Sequence, residues 1–265
     1  MPVPPSWVCR NSAEGGYSCV CPEGALDCGP PVCLADSCGE HGICRAENGS
    51  AVCHCRIAWA GEGCDQFRPV ERQAAFAGAS WVELPRELMP HVTSEAEELI
   101  SLKFRTEEEE GMLLWHGQGP QTPGSDQDYL TLGLVDGFLE FSYELGGGPA
   151  QMVSAFPVND GNIHSVLLRR RGREGELVMD DLEPVVDKSG GILAMLNTEG
   201  NIYVGGAPQL QLMTGGKHRN GFKGCIADLT LDQHKIDFLE MAVGGQNVVP
   251  CEVELRRRRR AWPLL

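Results

Sequence analysis

Ten of the twelve cysteines of this 265-residue chain lie within residues 1–64, and no other feature constrains the fold as strongly. A stretch with so many cysteines cannot build much apolar core, so we expect it to be held together by disulfides. Disulfides form and persist in oxidising compartments. The distribution therefore predicts a disulfide-rich N-terminal part in an extracellular protein, and it argues against an ordinary cytosolic enzyme.

Charge and hydropathy exclude two further classes of protein. The formal net charge of −15 is opposite to the basic excess of a nucleic-acid-binding protein. The sequence has no window of about 18 or more apolar residues, so we expect no membrane-spanning helix. The first residues lack the basic and apolar regions of a secretory signal, and we expect the chain to be the C-terminal part of a longer secreted protein.

The cysteines from Cys33 to Cys64 follow the spacing C-x4-C-x5-C-x8-C-x-C-x8-C. Six cysteines allow fifteen pairings, and the spacing alone does not choose among them. A zinc site is the alternative, because Cys53-His54-Cys55 places three possible ligands together. Paired cysteines of tetrahedral zinc sites are separated by about two to four residues, so the single spacer disfavours zinc.

This spacing, with the turn Trp59-Ala60-Gly61, resembles an epidermal-growth-factor-like (EGF-like) module, which we assign to residues 29–66. The cysteines before it are similar to the last four of a second, truncated EGF-like module over residues 1–28. Pro31-Val32 and Ala46 occupy the positions where some members carry calcium ligands, so we expect a structural spacer. The resemblance implies the disulfides Cys33–Cys44, Cys38–Cys53, Cys55–Cys64 and Cys21–Cys28, and it leaves the pairing of Cys9 and Cys19 open.

From about residue 67 onward the sequence changes to short apolar–polar alternations separated by glycine-containing signals. Alternation with a period of two places the apolar side chains on one face of a strand. Asp136-Gly137 stands between Leu132–Val135 and Phe138–Tyr143 and predicts a tight hairpin, because primed turns need residues that tolerate positive φ. Many strands at roughly ten-residue spacing over about 180 residues predict an all-β, two-sheet sandwich.

Four motifs then resemble the laminin G-like domain, a jelly-roll β-sandwich, which we assign to residues 67–252. The motifs are Gly111–Gly117, Asp128–Leu132, Asn201–Pro208 and Gly221–Ile226. The order of an EGF-like module followed by this domain is most similar to the C-terminal region of basement-membrane proteoglycans. The resemblance implies a Cys225–Cys251 disulfide. Ile163 stands where the family usually has a core tryptophan, which suggests local repacking.

The same resemblance implies one calcium ion on the rim of the sandwich. It places the side-chain ligands at Asp128 and Asn197, and backbone carbonyl ligands at Leu145 and Met195. Calcium is a hard cation that takes oxygen ligands, and a single charged side chain would leave positions open to an acidic group of a partner. The alternative is that Asp128 caps a turn and Asn197 is a loop residue.

Basic residues in this acidic chain suggest a second binding surface. The candidates for binding sulfated glycans are Arg169, Arg170, Arg171, Arg173, Lys217 and Arg219. A solvated hairpin is an equal alternative for the arginine run. Residues 253–265, with Arg256–Arg260, are expected to be a disordered basic tail.

Two further surface features follow from local sequence. Asn48-Gly49-Ser50 is a sequon, so Asn48 is a candidate for N-glycosylation. Glu107–Glu110 is expected to be a solvated hairpin tip, with a second cation site as the alternative.

These features together predict a secreted, non-catalytic adhesion module of the extracellular matrix or basement membrane. Its partners would be receptors of the integrin or dystroglycan class and matrix proteins, bound through the calcium-bearing rim. The alternative is a lectin-like module for acidic or sulfated glycans. A glycosidase would need two facing carboxylates, and Glu140 and Glu144 lie on one strand face. No nucleophile elbow occurs, so we expect no enzymatic activity.

Overall fold

The computed structural model describes residues 33, 37–47, 50–90, 97–120 and 127–251, together with the backbone of residues 8–11 and 17–20. The described residues are almost all in strands and turns, which confirms the predicted all-β class. The helical elements are a 3-10 turn at Arg86–Leu88 and the short helix α1 at Leu210–Met213. The strands are β1 (Val8–Asn11), β2 (Tyr17–Val20), β3 (Gly42–Glu47), β4 (Ser50–Cys55), β5 (Trp59–Ala60), β6 (Gln66–Phe67), β7 (Gln73–Ala77), β8 (Trp81–Leu84), β9 (Glu97–Arg105), β10 (Gly111–Gly117), β11 (Tyr129–Val135), β12 (Phe138–Glu144), β13 (Ala150–Val153), β14 (His164–Arg171), β15 (Glu174–Met179), β16 (Val185–Lys188), β17 (Ile202–Val204), β18 (Lys223–Leu231), β19 (His234–Lys235) and β20 (Gly244–Gln246).

The N-terminal part is built from the two-stranded pairs β1–β2, β3–β4 and β5–β6. Its described disulfides join Cys33 to Cys44, Cys38 to Cys53 and Cys55 to Cys64, which are the pairs that the EGF-like resemblance implies. The backbone register of β1 and β2 places Cys9 opposite Cys19. The predicted Cys21–Cys28 bridge, the Asn48 sequon and the basic tail at 256–260 lie outside the described residues.

The larger part is a sandwich of two antiparallel sheets. The first sheet has the order β13-β12-β11-β10-β17-β8-β20, and the second has the order β16-β15-β14-β9-β18-β19, with β7 also paired to β18. The two sheets pack face to face because apolar residues alternate along each strand and so lie on one face of each sheet. In β9, Ile100, Leu102 and Phe104 are buried, while the residues between them are partly or fully exposed. The inward faces of both sheets form one continuous apolar core.

The predictions made from local sequence have different outcomes in the structure. The predicted hairpin is confirmed, because Val135 pairs with Phe138 and both turn residues, Asp136 and Gly137, have positive φ. Cys225 is bonded to Cys251, which ties β18 to the end of the described chain. Ile163, which stands where the family usually has a core tryptophan, is 44% exposed and therefore lies outside the core. The core closes without a large side chain at that position.

A second apolar cluster lies on the outer face of the first sheet. Met112, Trp115, Tyr129 and Tyr203 form it, and the Trp115 ring stacks on Tyr129 with 5.3 Å between ring centroids. Side chains from the segment 207–213, which includes α1, pack against it. This outer face of the sheet is therefore covered by its own chain.

The EGF-like module is docked directly on the sandwich. Ala58 is fully buried within the main core, and Ile57 packs against that core. The N–H of Ala58 donates to the carbonyl of Val248 at 2.9 Å. Asn247 donates its own N–H to the carbonyl of Cys55 at 2.8 Å, and its Oδ1 accepts the N–H of Cys55 at 2.7 Å. The module expected to act as a spacer thus forms a continuous unit with the sandwich.

The docking contact leads to a first prediction. Asn247 holds a left-handed conformation, with φ of 55°, that alanine adopts only with strain. Asn247→Ala should therefore lower the free energy of unfolding by about 2–3 kcal/mol through strain and the loss of the hydrogen bond to Cys55. Asn247→Gly removes the same hydrogen bond without the strain, so it should cost about 1 kcal/mol less. Equal effects of the two substitutions in urea unfolding with disulfides intact would contradict this account.

Candidate functional site

Two of the predicted calcium ligands, Asp128 and Asn197, are in contact at one end of the first sheet. Asp128 directly precedes β11 and Leu145 directly follows β12, and the pairing of Tyr129 with Glu144 places both residues at the same strand ends. The main-chain N–H of Asn197 donates to Oδ2 of Asp128 at 2.7 Å. The structure therefore brings together two residues that are 69 positions apart in the sequence. Met195 lies two residues before Asn197 in the same loop.

The Asp128 carboxylate lies in an environment that disfavours an uncompensated negative charge. Burial raises the pKa of Asp128, and the negative charge of Glu144 raises it further. Hydrogen bonds from Asn197 and the positive charge of Arg170 act in the opposite direction without outweighing burial. A poorly solvated carboxylate beside a second acid is favoured electrostatically when a cation binds next to it.

Glu144 is a rim residue whose role the sequence reasoning missed, because it treated this acid only as half of a catalytic pair. Its Oε1 accepts the main-chain N–H groups of Leu145, Gly146, Gly147 and Gly148 at 2.8–3.0 Å. The loop 145–148 is thus wrapped around one buried carboxylate oxygen, which fixes the position of the Leu145 backbone. An acid followed by Leu-Gly-Gly-Gly was the available signal, since glycines allow successive N–H groups to converge.

A buried ion pair supports the rim from below. Arg170 is 1% exposed and Glu98 is 2% exposed, and they face each other across β14 and β9 with Nη2 of Arg170 donating to Oε1 of Glu98. Nη1 of the same arginine donates to the carbonyl of Ala194 at 3.2 Å. Arg170 therefore anchors the loop that leads to Asn197. The expectation that Arg170 binds sulfated glycans is wrong, because its guanidinium group is inside the sandwich.

The other basic candidates do not form one surface. Arg169 and Arg171 alternate with Arg170 along β14, so they point away from the core on the outer face of the second sheet. Arg169 forms ion pairs at 2.9 Å with Glu97 and with Glu176. Lys217 lies 4.3 Å above the Tyr129 ring, on the outer face of the first sheet. The two groups that the sequence combined are thus on opposite faces of the sandwich.

The remaining members of the basic set are divided in the same way. Arg173 lies near the rim, where its Nη1 donates to the carbonyl of Gly191. Arg219 is exposed in the segment that follows Lys217. No group of three or more His, Cys, Asp or Glu side chains converges as a metal site anywhere in the described parts of the chain. A calcium site here would consequently rely on Asn197 and on carbonyl oxygens as well as on Asp128.

Comparison with known proteins assigns the sandwich to a family. The Laminin G domain family matches residues 104–237, and the Teneurin-like EGF domain matches residues 34–67. This chain belongs to the laminin G domain family. Across the residues that the structure describes, no helix of this laminin G protein has the length and apolar character needed to cross a bilayer.

Two relatives and one solved structure extend the comparison. The chain is 44% identical over 229 residues to "Basement membrane proteoglycan" of Caenorhabditis elegans, covering 86% of this chain and 7% of that protein. It is 31% identical over 281 residues to "Basement membrane-specific heparan sulfate proteoglycan core protein" of Mus musculus, covering 92% of this chain and again 7% of the relative. "Mouse laminin alpha1 chain, domains LG4-5" superposes with a TM-score of 0.59 at 22% identity, covering 70% of this chain and 48% of that chain. At this identity, the superposition supports the laminin G fold alone.

Proposed function

We propose that this chain is a secreted, non-catalytic adhesion module of the extracellular matrix, which binds receptors and matrix proteins through a calcium-bearing rim. The relatives named as basement membrane proteoglycans support an extracellular matrix setting. The chain spans 7% of the length of each relative, so binding partners of those whole proteins are assigned to this chain only as part of the proposal. Receptors of the integrin or dystroglycan class are the partners we propose.

The contact between Asp128 and Asn197 is the observation that carries the proposal. Side-chain oxygens of these two residues, with the carbonyls of Leu145 and Met195, would supply an all-oxygen donor set, which is the set that calcium prefers. Bound calcium would supply a positive charge able to accept an acidic group of a partner. The chain itself would position that charge, through the Glu144 carboxylate that orders the loop 145–148.

Apolar side chains beside the rim favour a protein partner. Ile192 is 92% exposed, Leu193 is 53% exposed and Met195 is 40% exposed, and all lie in the loop that precedes Asn197. Apolar side chains exposed together on one loop are typical of protein–protein contact sites. A receptor would bury them while its acidic group approached the ion, so the two features would act together.

The lectin-like alternative rests on a different face. Arg169 and Arg171 project from the second sheet, and together with Val186 they line a groove of about 620 Å³. Sulfated or acidic glycans of the kind bound by agrin-like and laminin-like modules would use these guanidinium groups. The ion pairs of Arg169 with Glu97 and Glu176 weaken this candidate, because a glycan would compete with them.

The two acids considered for catalysis have other partners. Oε2 of Glu140 accepts a hydrogen bond from Gln151 at 2.6 Å, and Glu144 is engaged by the rim loop. A general acid or nucleophile must be accessible to the substrate. Both carboxylates are therefore engaged within the protein itself, which supports the non-catalytic part of the proposal.

Calcium titration of the full chain by calorimetry tests the proposal directly. The wild type should bind one ion at the rim, and Asp128→Ala or Asn197→Ala should weaken binding at least tenfold, about 1.4 kcal/mol, because each removes an oxygen ligand. The full chain is required, since Ala58 of the EGF-like module is part of the sandwich core. Adhesion to immobilised integrin or dystroglycan should decline in the same two variants and after chelation.

Glu107→Ala is the matched control, because it removes an exposed acid from the run at 107–110 and leaves the rim intact. Its calcium affinity should equal that of the wild type. Unchanged affinity in both rim variants would place the ion elsewhere, and weakening by Glu107→Ala would favour the acidic run instead.

A further inference from the structure

A groove of about 340 Å³ lies where the EGF-like module meets the first sheet. Its walls come from both modules: Arg45, Glu47 and His54 line it from β3 and β4, while Trp81 and Gln246 line it from β8 and β20. The loop at 206–210 closes the remaining side. The groove exists only because the two modules are docked, and it lies apart from the calcium rim formed by the loops at 145–148 and 189–197.

One wall of the groove is a chain of three polar side chains that are hydrogen-bonded to one another. Oε1 of Glu47 lies 2.6 Å from Nε2 of His54, and Nδ1 of His54 lies 2.6 Å from Nε2 of Gln246. A single neutral tautomer satisfies both contacts, with the histidine donating from Nε2 to the carboxylate and accepting at Nδ1 from the amide. Glu47, His54 and Gln246 are consequently fixed in place across the junction of the modules.

A second part of the groove lining is aromatic. Trp81 pairs in register with Gln246 and lies on the outer face of the first sheet, where its ring makes an edge contact with Tyr203 at 6.2 Å between centroids. The indole is partly buried by this packing, and part of it lines the groove. A rigid aromatic face offers apolar contact area at little entropic cost.

The charges that line the groove are balanced. Arg45 supplies only donors, the Glu47 carboxylate supplies only acceptors, and the Gln246 amide supplies both, while both ring nitrogens of His54 are already engaged by Glu47 and Gln246. One cation and one anion in the same groove leave it without a net electrostatic preference for an anionic or a cationic ligand. A neutral ligand with several hydroxyl groups can satisfy both, because each hydroxyl donates and accepts, while its C–H face covers the indole.

We propose that this junction groove binds a neutral saccharide unit of a glycan chain, independently of calcium. The volume of about 340 Å³ lies at the lower end for small-molecule sites, which suits one or two sugar residues. The Glu47 carboxylate, the Gln246 amide and the Arg45 guanidinium would bind the hydroxyl groups, His54 would hold Glu47 and Gln246 in place, and Trp81 would contact the ring face. The EGF-like module thereby contributes half of a binding site.

NMR titration of the ¹⁵N-labelled full chain tests this site. Lactose, maltose and mannobiose are added separately in the presence of a chelator, and the indole N–H resonance of Trp81 is assigned from its loss in Trp81→Leu. At least one disaccharide should shift that resonance saturably. Arg45→Ala should weaken binding at least tenfold, because it removes the groove's guanidinium donors without touching the sandwich core.

Arg56→Ala is the matched control, since it removes an exposed arginine of the same module outside the groove and should bind like the wild type. The proposal is wrong if no disaccharide shifts the Trp81 resonance, or if Arg45→Ala binds as well as Arg56→Ala. A shift of the Trp81 resonance by N-acetyl-argininamide, added in place of the sugars, would also overturn the proposal, because that result identifies a site for cationic peptides. Sugar binding that appears only when calcium replaces the chelator would assign it to the rim.

Discussion

Arg170→Met should lower the free energy of unfolding by about 3–5 kcal/mol, because it leaves the buried carboxylate of Glu98 without its cation. Both side chains are almost completely inaccessible and face each other on neighbouring strands of the second sheet. The comparison variant is Arg169→Met, the adjacent residue, which forms only exposed ion pairs with Glu97 and Glu176. Exposed pairs contribute about 0–1 kcal/mol, so urea unfolding should separate the two variants clearly.

A double variant distinguishes the ion pair from simple packing. Glu98→Leu combined with Arg170→Met removes both charges and keeps apolar volume, so its stability should return to within about 1–2 kcal/mol of the wild type. If the double variant is as unstable as the sum of the single ones, the charges are not coupled and the explanation fails.

The same double variant has an expected effect on the rim. Arg170 donates to the carbonyl of Ala194, and methionine cannot replace that hydrogen bond. The loop that leads to Asn197 should therefore lose an anchor even where stability is restored. Calcium affinity below that of the wild type in a stable double variant would identify Arg170 as a positioning residue for the rim.

The fold could be predicted because its signals are local. The cysteine spacing of residues 33–64 and the Asp136-Gly137 turn each act over a few residues, and period-two alternation reports directly on strand faces. Such patterns determine which side chains point inward before any long-range contact is known. The jelly-roll order of strands came from the family resemblance, because strand order depends on pairings between distant segments.

The errors at the candidate surfaces have a physical cause. Three consecutive arginines were treated as one cluster, although successive side chains on a strand point to opposite faces. Applying the alternation of Val166 and Leu168 one step further would have placed Arg170 in the core. Lys217 could not be placed by any local rule, since its position depends on the folding of the segment 207–219 over the first sheet.

The docking of the EGF-like module was beyond sequence reasoning for the same reason. Asn247 contacts Cys55 across 192 positions, and no local pattern indicates that pairing. The sequence Gly244-Gly245-Gln246-Asn247 indicates only a turn. The proposed rim ligands Asp128 and Asn197 are also far apart in the sequence, at 69 positions, and they came from the family resemblance.

Lowering the pH from 7.5 to about 4 should reduce the free energy of unfolding of the wild type by about 3 kcal/mol more than that of the His218→Gln variant. Burial of the ring, with a smaller contribution from the positive charge of Lys217, lowers the pKa of His218 from 6.5 to about 4. The imidazole is enclosed by Trp115 and Thr131, and Gly133 leaves no room for a side chain beside it. The unfolded chain therefore takes up a proton below pH 6.5 that the folded protein resists until about pH 4, so stability is lost across that interval.

Glutamine is the suitable replacement for His218. The Thr131 hydroxyl donates its hydrogen to the carbonyl of Leu114, so it must accept the hydrogen bond from Nε2–H of the neutral histidine. The amide of glutamine can donate in the same direction without titrating. His234→Gln replaces an exposed histidine on β19 and serves as the control that should keep the wild-type pH dependence. Urea unfolding of the three proteins at both pH values measures the difference. If the free energy of unfolding depends on pH in the same way for the wild type and His218→Gln, the His218 ring is solvated in the folded protein. In that case His218 does not hold the segment 214–219 against the sheet.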